Sequence, residues 1–130
     1  MRRGMSLSII LVVALVTAIG CRRDPQAPAG AEIELVFSPS PPAVGPAEVT
    51  VKLTDAAGEP LKGAKVELEG NMNHAGMKPS FATLAEAAPG RYTGTIHFTM
   101  GGDWFVLVTA KTTEGRSIER KIDVPGVRAP

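Results

Sequence analysis

The chain has 130 residues, enough for one domain of ordinary size, with 14 Lys and Arg against 13 Asp and Glu. A formal charge of +1 at neutral pH, without a basic cluster, argues against a nucleic-acid-binding protein. The single cysteine excludes a disulfide within the chain, so the apolar core alone must hold the domain together.

The N-terminus has the features of an export signal. Arg2 and Arg3 precede an apolar run over residues 7–19, which is shorter than the roughly 20 residues of a membrane-spanning helix. Small residues then lead to Cys21, and the stretch resembles a bacterial lipobox, in which the cysteine is acylated. We therefore predict a lipoprotein-type signal peptide over residues 1–20 and a lipid anchor on Cys21. The alternative is an ordinary signal peptide, cleaved nearby, that leaves Cys21 as a free thiol.

The residues after the cysteine predict a tether and a location. Residues 21–31 are rich in Pro, Gly and Ala without periodicity, which predicts a flexible link between lipid and domain. Position 22 is Arg rather than Asp, as is usual for sorting to the outer membrane in a two-membrane bacterium. We expect the protein in the cell envelope, at the outer membrane and facing the periplasm.

From residue 32 onward, apolar residues recur with period two, which predicts strands rather than helices. Turn-forming residues separate the segments, and one face of most segments is polar. The predicted strands are 33–37, 49–53, 64–68, 81–84, 92–98, 104–110 and 118–124. The fourth is short and weak, and the sixth is apolar on both faces, as expected of a well-covered strand. We predict an all-β protein, an immunoglobulin-like antiparallel β-sandwich of about seven strands, over residues 32–125, followed by a tail over 126–130.

The sequence offers little for catalysis. Its two histidines lie in no recognisable nucleophile or base motif, and there is no phosphate-binding glycine loop. Most carboxylates alternate outward on predicted strands, where a solvated face explains them. We therefore predict a protein that is not an enzyme.

The stretch GNMNHAGMKPS, residues 70–80, is the one segment that suggests ligand chemistry. Met72, His74 and Met77 lie within six positions of one another. Thioether and imidazole groups together suit Cu(I), since soft ligands select a soft ion. If successive strands are antiparallel, this loop and the turn with Met100 lie at the same end of the sandwich. The candidate metal ligands are therefore Met72, His74, Met77 and Met100.

Each candidate also has a structural interpretation. Met72 and Met77 could cap the open end of the core, because methionine is a flexible apolar filler. Met100 shares the inward parity of the preceding strand and could belong to the core, and His74 could be an ordinary exposed residue. His97 is a weaker candidate, because it lies three residues inside a strand and its parity directs it to solvent.

Three motifs carry a family resemblance. They are a Met/His/Gly-rich loop ending in Met-x-Pro ("MNHAGMKPS"), a Pro-Gly-x-Tyr strand ("PGRYTGTIHFTM") and a Gly-x-Trp strand ("GGDWFVLV"). Together they resemble the YtkA-like domain, a family related to the FixH proteins. The resemblance implies an exported or membrane-tethered β-sandwich. FixH relatives are associated with the assembly of copper-containing respiratory oxidases, so it also implies copper handling, and it implicates Met72, His74 and Met77.

Two functions are consistent with these observations. The first is a lipid-anchored, non-enzymatic Cu(I)-binding protein that buffers copper or delivers it to a copper-handling partner. The second is a structural or protein-interaction module of the cell envelope that binds no metal and whose methionines serve only packing. A small-molecule sensor is a third, weaker interpretation.

Overall fold

The structure is a computed structural model that describes residues 31–130. The predicted signal peptide, the lipidation site Cys21 and all but the last residue of the tether lie outside the described residues. Within residues 31–130, no helix is long and apolar enough to cross a membrane.

Seven antiparallel strands make up the described part of the chain, as the sequence predicts. The strands are β1 (Ala31–Ser38), β2 (Gly45–Asp55), β3 (Lys65–Asn71), β4 (Ser80–Ala88), β5 (Arg91–Phe98), β6 (Gly102–Lys111) and β7 (Ser117–Val127). They alternate buried and exposed residues over most of their length, so that each buries one face. The predicted all-β sandwich is confirmed.

The strands follow the order β1-β2-β5-β4-β3-β6-β7 and form a nearly barrel-like sandwich. One half, sheet 1, contains β1, β2 and β5, and the other half, sheet 2, contains β3, β6 and β7. Strand β4 belongs to both, because Ser80–Leu84 pair with β3 and Ala85–Ala88 pair with β5. The sequence predicted only its first half, residues 81–84, because the second half lacks apolar alternation.

Strand β4 crosses between the sheets where β5 has no side chain. A Cβ on Gly94 would lie 2.5 Å from Cδ2 of Leu84 and 3.3 Å from the carbonyl oxygen of Thr83. Leu84 is buried at this corner. The glycine therefore makes room for the bend of β4.

The core lies between the two sheets and consists of the inward side chains of all seven strands. Its largest members include Tyr92, Phe98 and Trp104. The ring of Phe98 packs edge-to-face against Trp104, with centroids 5.2 Å apart, and against Phe37 at 5.6 Å. Such aromatic pairs stabilise a core by about 0.5–1.5 kcal/mol beyond the area they bury. They join the two sheets near the end where β5 ends and β6 begins.

One prediction about β6 is wrong. Its inward residues are buried, but Leu107 on the opposite face is 36% exposed and Phe105 is half-buried. Within residues 31–130, no element covers this outer face of sheet 2. The strand is therefore covered on one face only.

At the opposite end of the sandwich, Tyr92 fixes the long connection between β2 and β3. Its hydroxyl donates to the carbonyl oxygen of Leu61 at 2.7 Å and accepts from the N–H of Ala64 at 3.0 Å. Desolvation by burial is the main cause that raises the pKa of Tyr92, and the neighbouring Glu86 carboxylate adds to it. The hydroxyl therefore stays protonated and keeps both hydrogen bonds.

Glu86 secures the same corner from β4. Its carboxylate accepts from the N–H of Gly63 at 3.2 Å and of Gly90 at 3.3 Å. Desolvation raises the pKa of Glu86, but these bonds, together with Tyr92 and Lys62, outweigh it and the net pKa is lowered. The carboxylate therefore stabilises the fold above its unfolded pKa of about 4.3. That contribution is lost as the pH falls through the lower folded pKa.

We expect Gly94→Ala to destabilise the protein by about 1–3 kcal/mol, because the added methyl overpacks the corner where β4 crosses. Urea unfolding followed by circular dichroism measures the loss. Thr95→Ala, an exposed change on the same strand, should stay within about 0.5 kcal/mol of the wild type. Equal stability of Gly94→Ala and wild type would contradict the assigned role of Gly94.

We expect Tyr92→Phe to lower the free energy of unfolding by about 1–3 kcal/mol. The substitution removes one hydroxyl and leaves both the Leu61 carbonyl and the Ala64 N–H without their partner. The same unfolding measurement tests it, again with Thr95→Ala as the control. A loss no larger than that of the control would show that the corner holds without the hydroxyl.

Candidate metal site

The loop over residues 72–79 joins β3 to β4 and contains three of the four predicted ligands. It turns at Ala75 and Gly76, where the N–H of Met77 donates to the carbonyl oxygen of His74 at 3.5 Å. Gly76 has a φ of 80°, a conformation that suits glycine at the third position of such a turn. The turn therefore holds His74 and Met77 on its two sides.

Met72 is the inner residue of the loop. Its side chain is 8% exposed and belongs to the core. Its terminal methyl reaches the start of β6, since a Cβ on Gly102 would lie 3.1 Å from the Cε of Met72. The side chain thus extends from the end of β3 toward the β5–β6 turn, and it packs as the capping interpretation expects of a methionine at this position.

The other two loop candidates lie farther out. Met77 is half-buried and packs against the core. His74 is exposed, as are Asn73 and Ala75 beside it. The loop therefore presents an imidazole to solvent, a thioether at the surface and a second thioether beneath.

Met100 lies on the β5–β6 turn, residues 99–101, at the same end of the sandwich as the loop. The register places Asn71, the last residue of β3, opposite Phe105 near the start of β6, as the antiparallel topology predicts. Met100 is 46% exposed, which contradicts the alternative interpretation that it belongs to the core. Its carbonyl oxygen accepts a hydrogen bond from Nε1 of Trp104 at 2.9 Å, which anchors the turn to the core.

His97 lies outside this group. It is exposed on β5, opposite Pro46 of β2, as its parity predicts. The structure therefore places one histidine, His74, in the loop of the candidate site.

The immediate surroundings of the loop contain few charges. Lys78 is the only charged residue between positions 72 and 79. Glu69, on the adjoining strand, accepts a hydrogen bond from Nδ2 of Asn71 at 3.0 Å. Within residues 31–130, no three side chains of His, Cys, Asp or Glu lie close enough together to hold a metal ion. The donors that the loop itself offers are therefore neutral: two thioethers and one imidazole.

Gly102 is the residue of this region that the sequence did not predict. It lies where the Met72 methyl passes, and a side chain there would meet that methyl. The double glycine before Asp103 is a visible signal in the sequence, but it indicates only a turn. Its relation to Met72 depends on the pairing of β3 with β6, which no local pattern specifies.

We expect Met72→Ala to destabilise the protein by about 2–5 kcal/mol, because it leaves a cavity at the end of the core. Met100→Ala, which truncates an exposed methionine at the same end, should change the stability by no more than about 0.5 kcal/mol. Urea unfolding of both variants tests the difference. Similar losses for the two substitutions would contradict the different burial of the two methionines.

Known proteins resemble this chain in family and, more weakly, in structure. No curated protein matches it. The soluble domain of PmoD from Methylocystis sp. ATCC 49242 (Rockwell) aligns at 14% identity over 75% of this chain and 90% of that one, with a TM-score of 0.47. A superoxide reductase (neelaredoxin) from Ignicoccus hospitalis aligns at 14% identity over 80% and 82%, with a TM-score of 0.42. At these scores neither likeness carries an argument about function.

The comparison with protein families, in contrast, gives a match over more than half of the chain. The family model described as YtkA-like matches residues 26–109, which include β1 to β5, the candidate loop and most of β6. The match covers more than half of the chain and confirms the resemblance drawn from the three sequence motifs. The chain belongs to the YtkA-like family.

Proposed function

We propose that this protein is an exported, lipid-anchored, non-enzymatic domain that binds Cu(I) and buffers it or delivers it to another envelope protein. Cys21 carries the lipid, and the protein is anchored in the outer membrane and faces the periplasm. Met72, His74 and Met77 bind the ion, and Met100 is the fourth candidate ligand.

One observation carries the proposal: the loop with Met72, His74 and Met77 and the turn with Met100 lie at the same end of the sandwich. The Met72 side chain extends from the loop to Gly102, two positions after Met100. The turn at Ala75 and Gly76 holds His74 and Met77 in the same loop. Sulfur and imidazole donors are therefore available from two adjacent connections.

The donor chemistry favours Cu(I) over harder ions. Thioethers are soft, neutral ligands, whereas Mg²⁺ and Ca²⁺ prefer oxygen. The loop itself contains no carboxylate that would attract those ions. Thioethers also tolerate burial without a hydrogen-bond partner, unlike most metal ligands, so Met72 can belong to the core and still donate its sulfur.

The gradient of exposure suits exchange of the ion with a partner. The exposed His74 meets an incoming ion first, the half-buried Met77 follows, and the buried Met72 lies deepest. Release reverses this order. An ion held by neutral donors near the surface can pass to a competing set of ligands without unfolding the domain.

Two observations support a non-enzymatic role. Within residues 31–130, the buried core contains no Asp, Glu, His, Lys or Arg residue. In the same range two groups have shifted pKa values, Glu86 and Tyr92, and both bind backbone groups of a structural corner rather than line a cleft. Catalytic acids and bases are usually found where shifted pKa values and a cleft coincide.

The test is a Cu(I) titration of residues 24–130, which contain all seven strands, against a chromogenic Cu(I) chelator. The variant Met72→Leu/His74→Asn/Met77→Leu removes the donors and keeps the volume of the core, because Leu replaces Met at a cost below about 1.5 kcal/mol. We expect the wild type to bind one ion and the variant to lose affinity by at least about 100-fold. Even groups that only hydrogen-bond to metal ligands are worth about 10- to 100-fold.

His97→Asn is the matched control, since it removes the other exposed histidine and should leave binding unchanged. Met100→Leu decides whether the turn contributes the fourth ligand. A folded wild-type domain that leaves all copper with the chelator would contradict the proposal.

A further inference from the structure

The outer face of sheet 2 carries apolar side chains, and no other strand or loop within residues 31–130 packs over this face. Phe81 is 70% exposed and Leu107 is 36% exposed, and Phe105 beside them is half-buried. We call these three side chains the outer patch. Phe81 and Leu107 line a groove of about 550 Å³. Large apolar side chains beside a concave surface are typical of a binding surface.

The register gives the patch a defined spacing. Phe81 on β4 and Leu107 on β6 both lie opposite Glu69 on β3, the strand between them. Two strand spacings, roughly 10 Å, therefore separate the two apolar residues. On an α-helix, residues seven positions apart are about 10.5 Å apart along the axis. The residues three and four positions after the first of this pair lie on the same face of the helix, between the two. A helix across the strands can thus meet both apolar residues and place one side chain over Glu69.

The charged residues that line the groove determine which charge a partner's side chain over Glu69 should carry. Three glutamates line it: Glu69, Glu119 and Glu67, whose carboxylate is paired with Lys65 at 3.0 Å. Of the two basic residues in its lining, Lys121 stands over the ring of Phe105 at 4.4 Å, and the Nε of Arg120 is buried. Both basic residues lie on β7, on the far side of Leu107, so Glu69 is the charged residue of the lining that lies between Phe81 and Leu107. A Lys or Arg between two apolar residues is the complementary pattern.

We propose that the outer patch docks a basic amphipathic helix of a partner protein, with apolar residues against Phe81 and Leu107 and a Lys or Arg at Glu69. The proposal does not depend on copper binding. Phe81 follows closely after the loop over residues 72–79, and Glu69 closely precedes it. A partner docked here therefore lies beside the candidate metal site.

The probe is a fluorescent peptide of Leu and Lys in an amphipathic helical pattern, titrated with the full-length chain and followed by anisotropy. The comparison peptide has Glu in place of every Lys. We expect the Lys peptide to bind and the Glu peptide not to bind. Phe81→Ser should weaken binding by about tenfold, the equivalent of about 1.4 kcal/mol. Glu69→Lys should abolish binding of the Lys peptide and create affinity for the Glu peptide.

Val36→Ser is the matched control, because Val36 is 48% exposed on β1, in the other sheet. It should leave binding unchanged. Because Phe81 projects into solvent, we expect Phe81→Ser to have the same midpoint of urea unfolding as the wild type. This measurement distinguishes a loss of docking from a loss of folding. The proposal is overturned if neither peptide binds, if both bind equally, or if Val36→Ser weakens binding as much as Phe81→Ser. Phe81-dependent binding to phosphatidylcholine vesicles, without binding to the Lys peptide, would assign the patch to lipid and also overturn it.

Discussion

The crossing of β4 from one sheet to the other is the constraint on which the rest of the structure depends. It requires a strand that bends at Leu84 and a neighbour, Gly94, that leaves room for the bend. Because β4 pairs with both β3 and β5, the connections before β4 and after β5 emerge at the same end of the sandwich. The candidate metal site at that end is thus a consequence of the sheet topology.

Met72 links this topology to the proposed chemistry. It is the first residue after β3, so it continues the strand's inward parity and enters the core, while its methyl reaches Gly102. A carboxylate in that position would carry a large desolvation cost, and a thioether carries almost none. The same side chain can therefore close the core and offer a sulfur atom. The proposed metal binding and the stability of the domain both depend on Met72, which is why volume-conserving substitutions are needed to separate them.

Much of the fold could be predicted from the sequence, because each strand buries one face and alternation records this directly. The second half of β4 could not, since Ala85–Ala88 carry no apolar alternation and are held by pairing with β5. The alternation that gave Met100 an inward position in the sequence ends with β5 at Phe98, where the backbone turns. The uncovered face at Leu107 also escaped prediction, because an apolar residue looks the same in sequence whether a partner or the protein itself covers it.

The most direct test of the central claim is X-ray absorption at the copper edge of the Cu(I)-loaded protein, since it identifies the atoms bonded to the ion. We predict sulfur and nitrogen bonded to copper, with the sulfur signal reduced in Met77→Leu and unchanged in His97→Asn. Copper surrounded only by nitrogen and oxygen would contradict the account. The methionines at this end of the sandwich would then serve the core alone.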